Sequence, residues 1–338
     1  IYYLFLGMVV AICCVSCNNE WEDEQYLHMA SFKANVNAQG VTTTYVRYKP
    51  GGVVQYKLPI IISGSTVSDR PLNIQIALDP DTLAVLNQNV YGHRQELYFQ
   101  QLPSQYYNMS ETVEIPAGET TGVLPIDFKL TEDLDQADKW VLPLQIVDDP
   151  SLGYKANPRK YFRRAMLRLL PFNDYSGTYD AAQYLIHFKT DVDNKEPFTV
   201  SEQRAFVVDD RTVFIYAGTR DIDYLDRKLY KIFIRFPEEG NDTKQLEVWA
   251  ENDELNFGPL TDADGKPLAF QSNFSMYSEM DELKPYLKKI FITMNLYYEF
   301  DDYTTVPGKR IRYKVQGSLS MQRNLNTLIP DEDQQVQW

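Results

Sequence analysis

From Lys289 to Phe300 the chain alternates with a period of two: Ile290, Ile292, Met294, Leu296, Tyr298 and Phe300 fall on one face, and Thr293, Asn295, Tyr297 and Glu299 on the other. Successive strand side chains point to opposite faces, so this stretch is committed to a strand with one face buried. Lys309 to Gln322 repeats the pattern through Ile311, Tyr313, Val315, Leu319 and Met321. Strands this long exceed the ~5–6 residues usual in globular sheets. Together with the runs Gln203 to Val208, Thr212 to Ala217, Lys228 to Phe236 and Lys244 to Ala250, they predict an up-and-down antiparallel barrel closing on itself, or a strongly curved sheet. Ser278 to Leu287 is expected to add one helix.

The first half of the chain alternates over shorter distances. Leu72, Ile74, Ile76 and Leu78 share a face within Pro71 to Leu78, and further runs occupy Thr42 to Tyr48, Val53 to Ile62, Glu111 to Ile115, Gly122 to Leu130, Lys139 to Val147 and Tyr161 to Leu170. Turn signals such as Pro50-Gly51-Gly52, Pro116-Ala117-Gly118 and Asp148-Asp149-Pro150 separate them. Only Asp81 to Asn89 reads as a helix. Short strands at close intervals predict an antiparallel β-sandwich of immunoglobulin type. Within it Leu142-Pro143-Leu144 is expected to mark an edge strand or bulge, because proline donates nothing to a ladder. The fold class is therefore all-β, with 24 Tyr and 17 Phe in keeping. The boundary between the halves falls at Pro171-Phe172-Asn173-Asp174, which places the sandwich at 30–171 and the barrel or curved sheet at 175–338.

Ahead of the sandwich, Ile1 to Ser16 carries no charge and falls short of the ~20 residues a spanning helix needs. It reads as an export signal, 1–16. Small residues precede Cys17, and the chain turns acidic at Glu20, Glu22, Asp23 and Glu24, so 17–29 is expected to be a tether. The Val15-Ser16-Cys17 junction resembles a bacterial lipobox, although Cys14 stands where leucine is usual. That resemblance implies a diacylated Cys17 anchored in the outer membrane, with the acidic residues directing display on the cell exterior; the alternatives are an ordinary secretory signal and a plain spacer. The remaining cysteines, Cys13 and Cys14, lie inside the signal, so no disulfide or thiolate-bound metal is available to the mature chain.

A net charge of −14 argues against nucleic acid and anionic membrane surfaces as partners. The one basic cluster, Lys155, Arg159, Lys160, Arg163, Arg164 and Arg168, is read as a solvated strand and its approach, compensating acidic neighbours; an anion site is the less favoured alternative. His28, His93 and His187 have no metal-ligand spacing. Asp262-Ala263-Asp264-Gly265 imitates the start of a calcium loop, but Asn273 stands where the bidentate glutamate belongs, so a hairpin turn is preferred to a weak calcium site. Neither a nucleophile elbow nor a phosphate loop is present, and no cofactor is called for.

Leu102-Pro103-Ser104-Gln105-Tyr106-Tyr107, Val113-Glu114-Ile115-Pro116-Ala117-Gly118 and Trp140-Val141-Leu142-Pro143-Leu144 resemble recurring motifs of an immunoglobulin-like domain of Bacteroidetes surface lipoproteins. That domain is similar to the one preceding the catalytic module of some family-18 glycoside hydrolases. The segment Asn326 to Gln334 resembles the close of an uncharacterised carboxy-terminal domain paired with it, for which a calycin-like barrel is the expectation. The resemblance implies a component of a polysaccharide-utilisation system and carries no catalytic residues across. Glycoside hydrolysis needs two carboxylates ~5–10 Å apart, but the family-18 pattern of spaced aspartates leading to a strand glutamate is missing.

Sugar binding needs an aromatic face beside planar hydrogen-bonding groups. Periodicity places Trp249 outward with Gln245 and Glu247, opposite Leu246, Val248 and Ala250. It also places Asn295 and Tyr297 on the polar face of their strand. These five are the candidate ligand-binding residues, and the catalytic and metal sets are empty. The competing reading is that Trp249 packs against the first half or a crossing loop, and Tyr106 with Tyr107 is a lesser candidate platform. The expected function is a surface-anchored, non-catalytic binder of a polysaccharide or oligosaccharide in a capture and uptake system. An assembly component of an outer-membrane uptake complex that binds no sugar is the alternative, and a glycoside hydrolase is the least favoured.

Overall fold

The computed structural model describes residues 28–329 apart from 50, 132, 149, 190–195 and 239–242. Cys17 and the expected signal and tether lie outside the described residues, apart from the tether's last two, His28 and Met29. Eleven strands come first: β1 (Met29–Phe32), β2 (Thr42–Arg47), β3 (Val53–Ser63), β4 (Leu72–Leu78), β5 (Phe99–Gln101), β6 (Tyr107–Met109), β7 (Thr112–Ile115), β8 (Thr121–Lys129), β9 (Lys139–Ile146), β10 (Lys155–Ala156) and β11 (Arg164–Phe172). They form a five-stranded sheet, β10-β1-β3-β8-β6, facing a second sheet, β2-β11-β9-β4-β7, with β5 added beside β9. Leu58, Ile60, Leu124, Ile126 and Phe128 of the first sheet meet Ile74, Leu142, Leu144, Ile146 and Leu167 of the second in one buried core. This is the expected sandwich, except that it is not wholly antiparallel: β10 runs parallel to β1, β2 to β11 and β5 to β9.

Pro143 corrects one expectation. Strand β9 is internal, between β11 on one side and β4 and β5 on the other. Its partner changes there: β5 ends at Gln101 opposite Val141, and β4 pairs from its last residue, Leu78, opposite Leu144. The Pro143 carbonyl accepts Asp79 N–H at 3.0 Å on that same side, so the missing proline N–H faces a gap between two short partners and no ladder bond is lost.

Helix α1 (Pro80–Tyr91) is longer than the segment read from sequence. Asp79 caps it through Thr82 N–H, Pro80 stands in its first turn, and Gly92 ends it at φ 59°. Asp79 also pairs with Arg164 at 2.7 Å. Arg168, expected on a solvated strand, is instead half-buried, its guanidinium 5.9 Å from the Phe99 ring.

Eight strands follow: β12 (Gly177–Phe188), β13 (Glu202–Val207), β14 (Thr212–Tyr216), β15 (Lys231–Arg235), β16 (Glu247–Trp249), β17 (Asn273–Met280), β18 (Leu287–Asp302) and β19 (Ile311–Asn326). Each pairs antiparallel with the next in order, except that β19 returns to β12 and β16 meets β17 only through its approach. There Gln245 bridges Asn273, Leu246 N–H donates to the Ser272 carbonyl at 2.9 Å, and Phe274 N–H donates to the Lys244 carbonyl at 2.9 Å. These bonds close the sheet into a barrel. Its interior is packed with Tyr179, Tyr184, Ile215, Ile232, Phe236, Met294, Leu296, Tyr298, Phe300, Val315 and Leu319. Gly317, at φ 137°, sits opposite a bulge in β12, where a Cβ would run into the Gln183 carbonyl.

The helix expected over Ser278 to Leu287 is absent. Ser278, Glu279 and Met280 finish β17, and the chain turns through 281–286, where the Asp281 carboxylate accepts Leu283 and Lys284 N–H and pairs with Lys289 at 2.9 Å. The turn chemistry outweighs the helix-forming composition of the segment.

Sandwich and barrel meet along a polar seam. Arg227 is 2% exposed and donates to the Ala137 and Glu96 carbonyls at 3.1 and 2.9 Å. Lys139–Asp223, Lys231–Asp135 and Lys228–Asp138 pairs cross the same seam at 2.6–2.7 Å. No helix among the described residues is long and apolar enough to cross a membrane.

Candidate functional site

On β18 the even-numbered residues fill the barrel, which turns Phe291, Thr293, Asn295 and Tyr297 outward. Their partners in β17 and in the loop before it share that outer surface. Tyr277 stacks on Phe291 with ring centroids 4.8 Å apart and planes 14° apart, and Phe270 stacks on Tyr297 at 5.3 Å and 22°. Tyr277 and Phe270 are 60% and 56% exposed, so each pair presents an open ring to water. Phe291 and Tyr297 are six steps apart along the strand, about 20 Å at the rise of a β-strand.

Between the two aromatic pairs runs a polar row. Asn295 Nδ2 donates to Asn273 Oδ1 at 2.8 Å, Asn273 Nδ2 donates to the Gln271 carbonyl at 3.0 Å, and the Thr293 and Ser320 hydroxyls are 3.1 Å apart. Gln245 stands across the barrel closure from Asn273. Among the described residues its side-chain amide and Asn295 Oδ1 make no hydrogen bond, so both are available to a ligand. Tyr297 is fixed from behind as its backbone N–H donates to Ser272 Oγ at 3.1 Å.

The five residues picked from sequence therefore divide. Gln245, Asn295 and Tyr297 belong to this outer face. Glu247 and Trp249 lie further along β16, toward β15, where Glu247 pairs with Arg235 at 3.3 Å and Trp249 stacks on Phe233 at 5.4 Å and 16°. The Arg235 guanidinium stands 5.0 Å from the Trp249 ring. Trp249 is the outermost rung of an aromatic ladder, Phe206–Phe214–Phe233–Trp249, that crosses β13 to β16 in register. Ala137 of the sandwich and Tyr216 cover the inner rungs. Periodicity does not point to Phe270, Asn273, Tyr277 or Phe291 as ligand-binding residues. The one signal for them is register: Asn273 pairs with Asn295, and Tyr277 with Phe291.

Glu299, next in the outward series, is completely buried and holds Lys189, Arg312 and the Thr261 N–H. Burial alone would raise its carboxyl; the Lys189 and Thr261 hydrogen bonds outweigh it and hold the group below its ordinary range. The group is a strut for the 252–268 segment. In that segment Asp262 Oδ1 accepts Asp264 and Lys266 N–H in a tight turn. Among the described residues no group of three or more His, Cys, Asp or Glu is placed to hold a metal ion. Tyr106 is buried, its hydroxyl donating to Asp133 Oδ2 at 2.7 Å, and it belongs to the sandwich core.

A two-sheet sandwich followed by a closed eight-stranded barrel defines an all-β protein of two parts. Residues 21–150 match a family model described as a domain of unknown function (DUF4973), and residues 163–320 match a second model described as a C-terminal domain. A multidomain protein including DUF1735 from Bacteroides ovatus is 38% identical, with a TM-score of 0.78 over 93% of this chain and 100% of that one. A protein of unknown function from the same organism is 38% identical over 90% of this chain and 95% of that one, with a TM-score of 0.77. An auxiliary nutrient binding protein from Bacteroides thetaiotaomicron is 36% identical over 90% of this chain and 100% of that one, with a TM-score of 0.78. The chain belongs to the Bacteroides protein family that these structures represent. No curated protein matches it.

Proposed function

We propose that this chain is a surface-displayed, non-catalytic glycan-binding protein, and that the outer face of β17 and β18 holds the ligand. One observation carries the reading: two solvent-open stacked aromatic pairs, about 20 Å apart along one strand, flank a row of amide side chains with unused hydrogen-bonding atoms. Pyranose rings offer an apolar C–H face to Phe270 and Tyr277 and equatorial hydroxyls to Gln245, Asn273 and Asn295. The length of the face suits a chain of several sugars rather than one. The name of the auxiliary nutrient binding protein among its relatives supports a capture role. In this reading the chain is held at the outer membrane through an acylated Cys17, and residues 17–29 space the sandwich from the membrane.

Affinity electrophoresis through gels containing plant, fungal or host polysaccharides tests the proposal. The wild-type chain is expected to be retarded by at least one polymer, and Phe270→Ala with Tyr277→Ala together to weaken that binding by roughly 10- to 100-fold, as loss of two stacking contacts implies. Trp249→Ala is expected to leave retardation in place, because its ring is engaged by Phe233 and Arg235. Retardation by no polymer, or retardation lost only in Trp249→Ala, overturns the assignment. Release of reducing sugar from the retarding polymer would favour a hydrolase.

A further inference from the structure

At one end of the barrel, where β12, β14 and β18 finish, a cavity of about 180 Å³ opens to solvent. It is distinct from the outer face: its lining combines the apolar Ile186, Phe198, Phe300 and Tyr313 with the polar Thr219, Arg220, Tyr224 and Asp302. The apolar part is a ring cluster. Tyr313 is stacked between Phe300, at 5.4 Å and 21°, and Phe188, at 5.1 Å and 29°, and Phe198 stands edge-on to Phe188 at 5.0 Å and to Tyr313 at 6.4 Å. Phe198 is 41% exposed and forms the rim.

The polar part is built around Arg220, which is 5% exposed. Its Nη2 donates to Asp302 Oδ1 at 3.0 Å, to Asp226 Oδ2 at 3.2 Å and to the hydroxyls of Thr304 and Thr305 at 3.1 Å, while Nε also donates to Asp226. The guanidinium lies over the Tyr230 ring at 3.4 Å. Asp302 Oδ1 accepts Tyr230 Oη and the backbone N–H of Thr304 and Thr305 as well. These bonds fix Arg220 and leave its Nη1 without a hydrogen bond among the described residues. The hydroxyls of Tyr313, Tyr224 and Thr219 make none either. Aromatic rings and several uncommitted donors and acceptors therefore line one cavity.

We infer that this cavity is a second binding site, one that takes a single neutral pyranose stacked on the exposed Phe198 ring and hydrogen-bonded by Arg220 Nη1 and the Tyr313 hydroxyl. The volume lies below the ~300–1,000 Å³ of drug-sized pockets, which restricts the occupant to one ring. Charge selects against acidic sugars: one guanidinium stands with two carboxylates, Asp226 and Asp302, and Asp302 stays ionised at neutral pH. Hydroxyls of a neutral ring satisfy the free donors without adding to that negative balance.

Isothermal titration of the full chain with glucose, mannose, galactose, xylose and N-acetylglucosamine, each alone, and with glucuronate as the anionic arm, tests the inference. At least one neutral sugar is expected to bind saturably at one site per chain. Phe198→Ala, at an exposed rim position, is expected to weaken it about tenfold, and Tyr313→Phe several-fold. Binding of no neutral monosaccharide, preference for glucuronate, or affinity indifferent to both Phe198→Ala and Tyr313→Phe overturns it. Because the polymer site and this one lie on opposite sides of the barrel wall, either can fail without the other.

Discussion

At the scale of single residues, burial decides what each polar group does. Asp302 is 4% exposed, and burial by itself raises its carboxyl; the Thr305 hydrogen bonds and Arg220 outweigh burial and bring it down to about 2. A carboxylate depressed in the fold contributes stability that is present above its ordinary value near 3.8 and is lost as pH falls through 2. The chain is therefore expected to lose roughly 2 kcal/mol between pH 4 and pH 2 through this group. Asp302→Asn should remove that part of the acid dependence, and chemical denaturation at a series of pH values measures it. Trp249 carries a second lesson at this scale. Its outward position could be inferred from alternation with Leu246 and Val248, but not that Phe233 and Arg235 would meet it there, since these come from the neighbouring strand.

At the scale of elements, the longest strands were the most legible. Strands β18 and β19 bury one face along most of their length, so period two is written plainly in both. Strand β17 was missed for the opposite reason. Met276 and Tyr277 point to different faces and are 42% and 60% exposed, so no contrast between faces remains in its sequence. The same exposure makes Tyr277 available to a ligand. The exposure that supports the proposed ligand face is thus what hides the strand that carries it. The choice between a closed barrel and a curved sheet could not be read from period alone, because closure rests on a few backbone bonds between Lys244–Leu246 and Ser272–Phe274.

At the scale of the whole molecule, a rigid seam joins sandwich and barrel. Arg227 reaches from the barrel to two backbone carbonyls of the sandwich, and three ion pairs reinforce it. Replacing Arg227 with Ala leaves buried carbonyls unmatched at a cost of roughly 2 kcal/mol or more. The variant is expected to split one calorimetric unfolding transition into two; a single transition would show that the halves do not depend on this contact. With the sandwich packed against β13 to β15, the face on β17 and β18 proposed to hold a long ligand stays clear of the seam and exposed. The most direct measurement of that claim is titration with oligosaccharides of increasing length drawn from the polymer that binds. Affinity is expected to climb until the chain reaches from Phe270 to Tyr277 and then to level off, with the climb abolished in the Phe270→Ala, Tyr277→Ala double variant. Affinity independent of length in the wild-type chain would contradict it.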